Sequence, residues 1–207
     1  LIKKNLATIK TRQEIRDPLQ NLQVKQEQSL ILTQAQLEAI NVITNPLRQR
    51  NHSETFLLEG VTGSGKTEVY LHVLAHYVAL GFQGLFLVPE ISLTPQLITR
   101  LANWFPGKVG VLHSGLTPGQ QYDTWWRINS GDFDVVLGSR SAIFAPQRNL
   151  GIIIIDEEHE WTYKQHDTNP RYDARSVATE LARLTNSTVL LGGATPDIST
   201  YSRALRK

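Results

Sequence analysis

The sequence predicts an α/β fold of three layers, with a mainly parallel sheet covered by helices on both faces. Three observations lead there. From Thr55 onward, short apolar strands alternate with helical segments. The strands read as continuous Val/Ile/Leu runs, the pattern of a sheet buried on both sides. The segments richest in glycine, hydroxyl and acidic residues follow strand ends, where open α/β sheets bind their ligands.

Each element has its own justification. A first helix starts after Leu32, with Thr33 as N-cap and Leu37, Ile40 and Ile43 at helical spacing, and Pro46 ends it. Thr55–Leu58 is a short strand, and Thr67–Leu80 is a helix closed by Gly81. Gly84–Val88 (strand), Thr94–Trp104 (helix), Val109–Leu112 (strand), Gly119–Asn129 (helix) and Phe133–Leu137 (strand) follow. Ile152–Ile155 is the most apolar strand; Ala174–Thr185 (helix), Thr188–Leu191 (strand) and Ile198–Leu205 (helix) complete the chain. Residues 1–30 lack steady periodicity and read as a linker, leaving 31–207 as one domain.

Composition narrows the function. The 207 residues are 41% hydrophobic, enough for one cored α/β domain with an appendage. Cysteine is absent, which excludes disulfides and a thiolate zinc site in this chain. No apolar run reaches the roughly 20 residues of a membrane span, and no signal-peptide layout opens the chain, so a soluble cytoplasmic protein is expected. Methionine is also absent, even at position 1, which predicts a piece of a longer protein. Net charge is +2; residues 1–30 carry six Lys/Arg (Lys3, Lys4, Lys10, Arg12, Arg16, Lys25) against three acids, the balance of a solvated linker. Residues 51–207 hold thirteen basic against fifteen acidic residues, so any nucleic-acid contact there must come from local clusters.

Two segments carry chemistry on their own. Gly60-Val-Thr62-Gly63-Ser64-Gly65-Lys66-Thr67 fits G-x-x-x-x-G-K-[ST] between a strand and a helix, the context a phosphate loop requires. Its glycines let backbone N–H groups wrap a phosphate chain, the helix N-terminus adds partial positive charge, Lys66 would meet the β- and γ-phosphates, and Thr67 would ligate Mg²⁺. The strand Ile152–Ile155 runs into Asp156-Glu157-Glu158-His159. There Asp156 would hold the Mg²⁺ of ATP and Glu157 would orient the attacking water.

Asp-Glu-x-His after an apolar strand resembles the DExH box of superfamily 2 DNA helicases. The surroundings narrow the resemblance to their replication-restart helicases: Leu87–Gln96 resembles motif Ia, Val136–Pro146 motif Ib, Tyr163-Lys164-Gln165 with Pro170–Arg175 the aromatic-rich loop, and Leu191–Pro196 motif III. It spans about residues 32–200. Gly193 stands where motif III usually has Ser, Ser139 where motif Ib usually has Thr, and Trp161 where a small polar residue is common.

The resemblance implies a RecA-like P-loop NTPase domain, the first lobe of an ATP-dependent 3′-to-5′ helicase that helps assemble the primosome at stalled forks. Residues 1–30 would link it to an upstream DNA-binding region. Gln36, in Leu32-Thr33-x-x-Gln36, would read adenine; a surface glutamine is the alternative. His159 would link the ATP site to a second lobe. Thr94, Ser139 and Arg140 would grip phosphodiesters, with helix capping or a surface ion pair as alternatives. Trp161, Tyr163, Lys164 and Arg171 would stack on or pair with single-stranded DNA and report it to the ATP site, and Thr195 would take part in coupling. Trp125 and Trp126 fit a core or an interface better than a DNA contact. Expected partners are single-stranded and forked DNA, the second helicase lobe, single-strand binding protein and other primosome proteins; zinc is expected only in the parent, outside this chain. A P-loop kinase or transporter ATPase lacks this combination of motifs. A nucleotide- or DNA-binding module without turnover stays open, because related ATPases take an arginine from elsewhere.

Overall fold

The computed structural model describes residues 31–45 and 54–206, together with Leu19. The linker expected over 1–30, Leu19 aside, and the helix stop expected at Pro46 lie outside the described residues. The described chain runs α1 (Gln34–Thr44), β1 (Thr55–Glu59), α2 (Lys66–Ala79), β2 (Gln83–Leu87), α3 (Pro95–Trp104) and β3 (Val109–Leu112). It continues α4 (Pro118–Ser130), β4 (Val135–Gly138), β5 (Leu150–Ile155), α5 (Ala174–Thr185), β6 (Thr188–Gly193) and α6 (Ile198–Leu205). All six strands form one parallel sheet in the order β1-β6-β5-β2-β4-β3.

Local chemistry starts the helices. Thr33 and Thr117 each close a capping box with the glutamine three residues on, and the side chains of Thr94 and Asp173 accept backbone N–H groups of α3 and α5. The sheet then sorts side chains by the two-residue period of a strand. On β5, Ile152 and Ile154 join Tyr70, Leu74 and Leu101 in one core, under α2 and α3. Ile153 and Ile155 face the other way, against Ala174, Ala178 and Ala182 of α5 and Ile128 of α4. Both cores are buried, which accounts for the unbroken isoleucine run: no face of β5 is wet.

Three short 3-10 turns follow strand ends at Glu90–Ser92, Arg140–Phe144 and Trp161–Tyr163. None is expected from the sequence, since three to five residues give no helical period. Trp125 and Trp126 do not enter the core: α4 buries Thr124 and Ile128 and leaves the two indoles 40% and 52% exposed.

The strand order decides where the motifs meet. β1 and β2 are consecutive in sequence but stand apart, with β6 and β5 between them. The C-terminal ends of β1, β6, β5, β2 and β4 therefore line one edge of the sheet, and every sequence motif past a strand end opens there.

Candidate active site

The loop Gly60–Thr67 joins β1 to α2. Gly63 and Gly65 hold φ of +80° and +83°, a left-handed backbone that favours glycine, and Gly65 is the N-cap of α2. Space reinforces this at Gly65, where a Cβ would stand 2.3 Å from Nε2 of Gln36. The Lys66 ammonium donates to the carbonyls of Gly60 (2.7 Å) and Val61 (3.4 Å) and so lies over the loop.

Gln36 is engaged at both ends of its amide. Nε2 donates to the Ser64 carbonyl at 3.1 Å, and Oε1 accepts the Thr33 N–H at 2.9 Å. It ties α1 to the phosphate loop, so it is no idle surface glutamine; its amide carries a second N–H and a second acceptor lone pair beyond these two bonds.

Asp156 ends β5. Its N–H donates to the Leu87 carbonyl at 3.0 Å, and its Oδ1 accepts the hydroxyl of Tyr70 at 2.9 Å. Burial pushes its carboxyl above the ordinary carboxylate range; the Tyr70 hydrogen bond pulls it back, Glu157 pushes it further up and Lys66 lowers it. Burial also drives the Tyr70 phenol far upward, with Asp156 adding to it, so Tyr70 acts as a donor. Glu157 holds φ +46°, an uncommon backbone for a non-glycine residue. His159 Nδ1 lies 3.7 Å from Glu157 Oε2, and this buried nitrogen has no hydrogen bond.

Gln36, residues 62–67, Asp156 and Glu157 line one cleft of about 640 Å³, together with Thr33, Glu68 and Arg100. Gly60 and His159 stand outside that lining. Glu68, 5% exposed, pairs with Arg100, and His72 lies 3.7 Å from its other oxygen. The Thr67 hydroxyl and the Asp156 carboxylate are hard oxygen donors in this cleft, a set that fits Mg²⁺. That ion completes its shell with water and phosphate oxygens rather than an all-protein cage.

A second cleft of about 500 Å³ opens beside the first, past β2, β4 and β5, and includes Glu90, Ile91, Ser139, Arg140, Trp161, Tyr163 and Lys164 in its lining. Arg140 donates to the carbonyls of Thr162 (2.9 Å) and Lys164 (3.0 Å), so it holds the turn after the acidic residues rather than a surface carboxylate. Ser139 is buried, with Oγ 3.3 Å from Glu90 Oε1. Trp161 is 69% exposed, with its ring tilted 31° to that of His166 at 6.3 Å between centroids. Tyr163 corrects the expectation that it stacks on bases. It is 1% exposed, its hydroxyl donates to the Asp156 carbonyl at 2.7 Å, and burial raises its phenol well above the ordinary range. The ring packs in the α5-side core, since Tyr163 closes a 3-10 turn that points it inward. Thr94 caps α3, accepting the Leu97 N–H at 3.3 Å. Arg171 and Thr195 are exposed and line neither cleft.

Tyr70 and Glu158 escape sequence reasoning, while Arg175 is legible there only as the end of the aromatic-rich loop. Tyr70 reads as a core aromatic on α2, and its partner lies 86 positions away. Glu158 reads as one more acid in an acidic run. It is fully buried, accepting the Asp197 N–H (2.6 Å) and the Thr200 hydroxyl (3.1 Å), and so ties the end of β5 to the start of α6. Arg175 donates to the Glu158 carbonyl at 2.8 Å and chelates Asp173. Burial works against the Asp173 charge, yet Arg175 holds that carboxyl below its ordinary value.

The family described as type III restriction enzyme, res subunit, matches residues 29–198. The replication restart protein PriA of Bacillus subtilis (strain 168) is 47% identical over 204 residues, 99% of this chain and 25% of that protein. PriA of Chlamydia trachomatis serovar D is 47% identical over 176 residues, 85% of this chain and 23% of that protein. The chain thus spans about a quarter of the length of these curated relatives. Among solved structures, RecG bound to a three-way DNA junction superposes with a TM-score of 0.62 at 27% identity, over 86% of this chain and 23% of that one. No helix among the described residues is long and apolar enough to cross a membrane.

Proposed function

The chain belongs to the family described as type III restriction enzyme, res subunit, and from that membership together with its 47% identity to two PriA proteins we propose that it is the ATP-binding motor lobe of a PriA-like, 3′-to-5′ DNA helicase acting in replication restart. One observation carries the proposal: the phosphate loop, Gln36, Asp156 and Glu157, drawn from three separate stretches of sequence, line a single cleft.

In that cleft Lys66 would leave the Gly60 carbonyl for the β- and γ-phosphates of ATP. Thr67 and Asp156 would hold Mg²⁺, which when bound neutralises charge on the phosphate oxygens. Glu157 would orient the attacking water, and His159, 3.7 Å from it, would carry the state of the site toward a second lobe.

The adjoining cleft supports the DNA half of the proposal. Trp161 offers an exposed ring and Lys164 an exposed cation in its lining, while Arg171 is an exposed cation outside that lining. Ser139, Arg140 and Thr94 would hold the shape of this face rather than reach the phosphodiesters, because each is committed to a protein partner. Tyr163 joins the two clefts: it lines the second and bonds the backbone of Asp156, which lines the first. DNA bound at Trp161 would therefore press on the residue that positions the metal carboxylate. Thr195, two residues past the end of β6, would serve the same coupling. The parent would work in the cytoplasm on single-stranded and forked DNA, with a second lobe of its own chain, single-strand binding protein and other primosome proteins; zinc would sit elsewhere in that parent.

Phosphate release at saturating MgATP tests this, in the full-length protein and in the present chain, each with and without single-stranded DNA. The full-length protein should be stimulated by DNA. The chain alone should stay below about 1 s⁻¹, because a trans-acting cation typically contributes ~10³–10⁵ in such enzymes. Turnover by the chain alone in the ordinary enzyme range would refute the need for a second lobe, and a full-length protein indifferent to DNA would refute the motor assignment.

A further inference from the structure

Tyr70 lies in α2, one turn beyond Lys66, with its side chain wholly buried. Its ring meets Phe86 of β2 edge-on at 5.5 Å between centroids. A buried phenol needs a partner for its hydroxyl; here that partner is Oδ1 of Asp156, at 2.9 Å. Gly192 of β6 makes the approach possible: a Cβ at that position would stand 1.7 Å from the Tyr70 hydroxyl oxygen. The Glu158 N–H in turn donates to the Gly192 carbonyl at 2.8 Å, so this point of β6 is pinned to the acidic segment.

We infer that Tyr70 is a positioning residue for the cation-binding carboxylate, and that Gly192 is required for Tyr70 to reach it. This rests on the proposed MgATP cleft and deepens it. With Oδ1 occupied by a donor from a locked ring, the carboxylate has one orientation and its other oxygen is left for the ion. Partners of this kind, which orient a metal ligand without touching the metal, typically change metal affinity 10- to 100-fold when removed. A hydrogen bond serving packing alone would change thermal stability and leave the magnesium requirement where it was.

The test is equilibrium binding of a fluorescent ATP analogue to the full-length protein at graded Mg²⁺. Tyr70→Phe keeps the ring and removes only the hydroxyl. It should raise the half-saturating Mg²⁺ concentration about tenfold or more, while binding measured in EDTA stays unchanged. Gly192→Ala should raise it as well, and the double variant should fall short of the sum of the two, as expected for residues acting through one contact. Lys66→Ala is the control for the cleft itself. If Lys66→Ala weakens binding but Tyr70→Phe leaves the Mg²⁺ midpoint within about twofold, below the range expected of such a partner, the positioning role is overturned and the cleft assignment stands. If Lys66→Ala has no effect, the cleft assignment fails and this inference with it.

Discussion

Replacing Glu158 by Ala removes a carboxylate that has no direct place in the proposed chemistry but holds the site together. Glu158 is completely buried between β5 and α6. It accepts the Asp197 N–H at 2.6 Å and the Thr200 hydroxyl at 3.1 Å, and lies 3.9 Å from Nη1 of Arg175. Hydrogen bonds to a charged group contribute about 1.5–3 kcal/mol each, so two lost bonds amount to about 3–6 kcal/mol. Breaking a buried charge pair costs about 3–5 kcal/mol, but Arg175 keeps Asp173 at 2.8 Å, which places the expected loss at the lower end. About 3–5 kcal/mol is therefore expected, a fall in Tm of roughly 6–20 °C at 2–4 °C per kcal/mol for a domain of this size. Glu158→Gln keeps one acceptor but turns an NH₂ toward a donor, and should cost about 1–3 kcal/mol. Thermal and denaturant unfolding followed by circular dichroism give both numbers. A Glu158→Ala chain within about 1 kcal/mol of the parent, the worth of a single neutral hydrogen bond, would mean that the contacts between β5 and α6 contribute nothing net.

Three further outcomes are expected. Lys66→Ala should weaken a fluorescent ATP analogue about 10- to 150-fold, the equivalent of about 1.5–3 kcal/mol for a charge-assisted contact; fluorescence titration with Mg²⁺ measures it, and equal affinities would remove Lys66 from the site. In the full-length protein, Trp161→Ala should leave basal ATPase nearly intact and blunt its stimulation by single-stranded DNA, because the exposed ring contributes little to folding. Tyr163→Ala makes a poor companion to it, since emptying a buried aromatic site costs about 3–5 kcal/mol by itself. Undiminished stimulation in Trp161→Ala would assign DNA sensing elsewhere. Burial raises the Asp156 carboxyl, so that group favours folding at pH below the ordinary carboxylate range, and the contribution is lost as pH rises through the raised value. Asp156→Asn should therefore raise Tm near pH 7, with the gap closing in acid, while turnover falls by a hundredfold or more as several kcal/mol of charge stabilisation go; melting curves across pH check the first and phosphate release the second.

Apart from the short 3-10 turns, the sequence determined the features whose cause lies within a few residues. Thr33 and Thr94 cap the helices they precede, and Gly81 follows the end of α2, because capping is decided by side chains near the backbone they satisfy. The isoleucines of β5 announce a doubly covered strand, and the phosphate loop is legible because all its chemistry sits in eight consecutive residues. Tertiary structure alone decided which members of each motif face the site. Tyr163 and Trp161 are two positions apart and chemically alike, yet one is 1% exposed and the other 69%. Trp125 and Trp126 sit on an amphipathic helix and still point outward, since α4 covers an edge of the sheet with Thr124 and Ile128 instead. Gln36 meets Ser64 across 28 positions, Glu158 meets Thr200 across 42 and Tyr70 meets Asp156 across 86. Local sequence encodes the period of an element, whereas burial and partnership depend on which strands lie side by side. That arrangement is set by packing both faces of the sheet at once: β6 and β5 come between β1 and β2, and residues remote in the chain are brought within hydrogen-bonding distance.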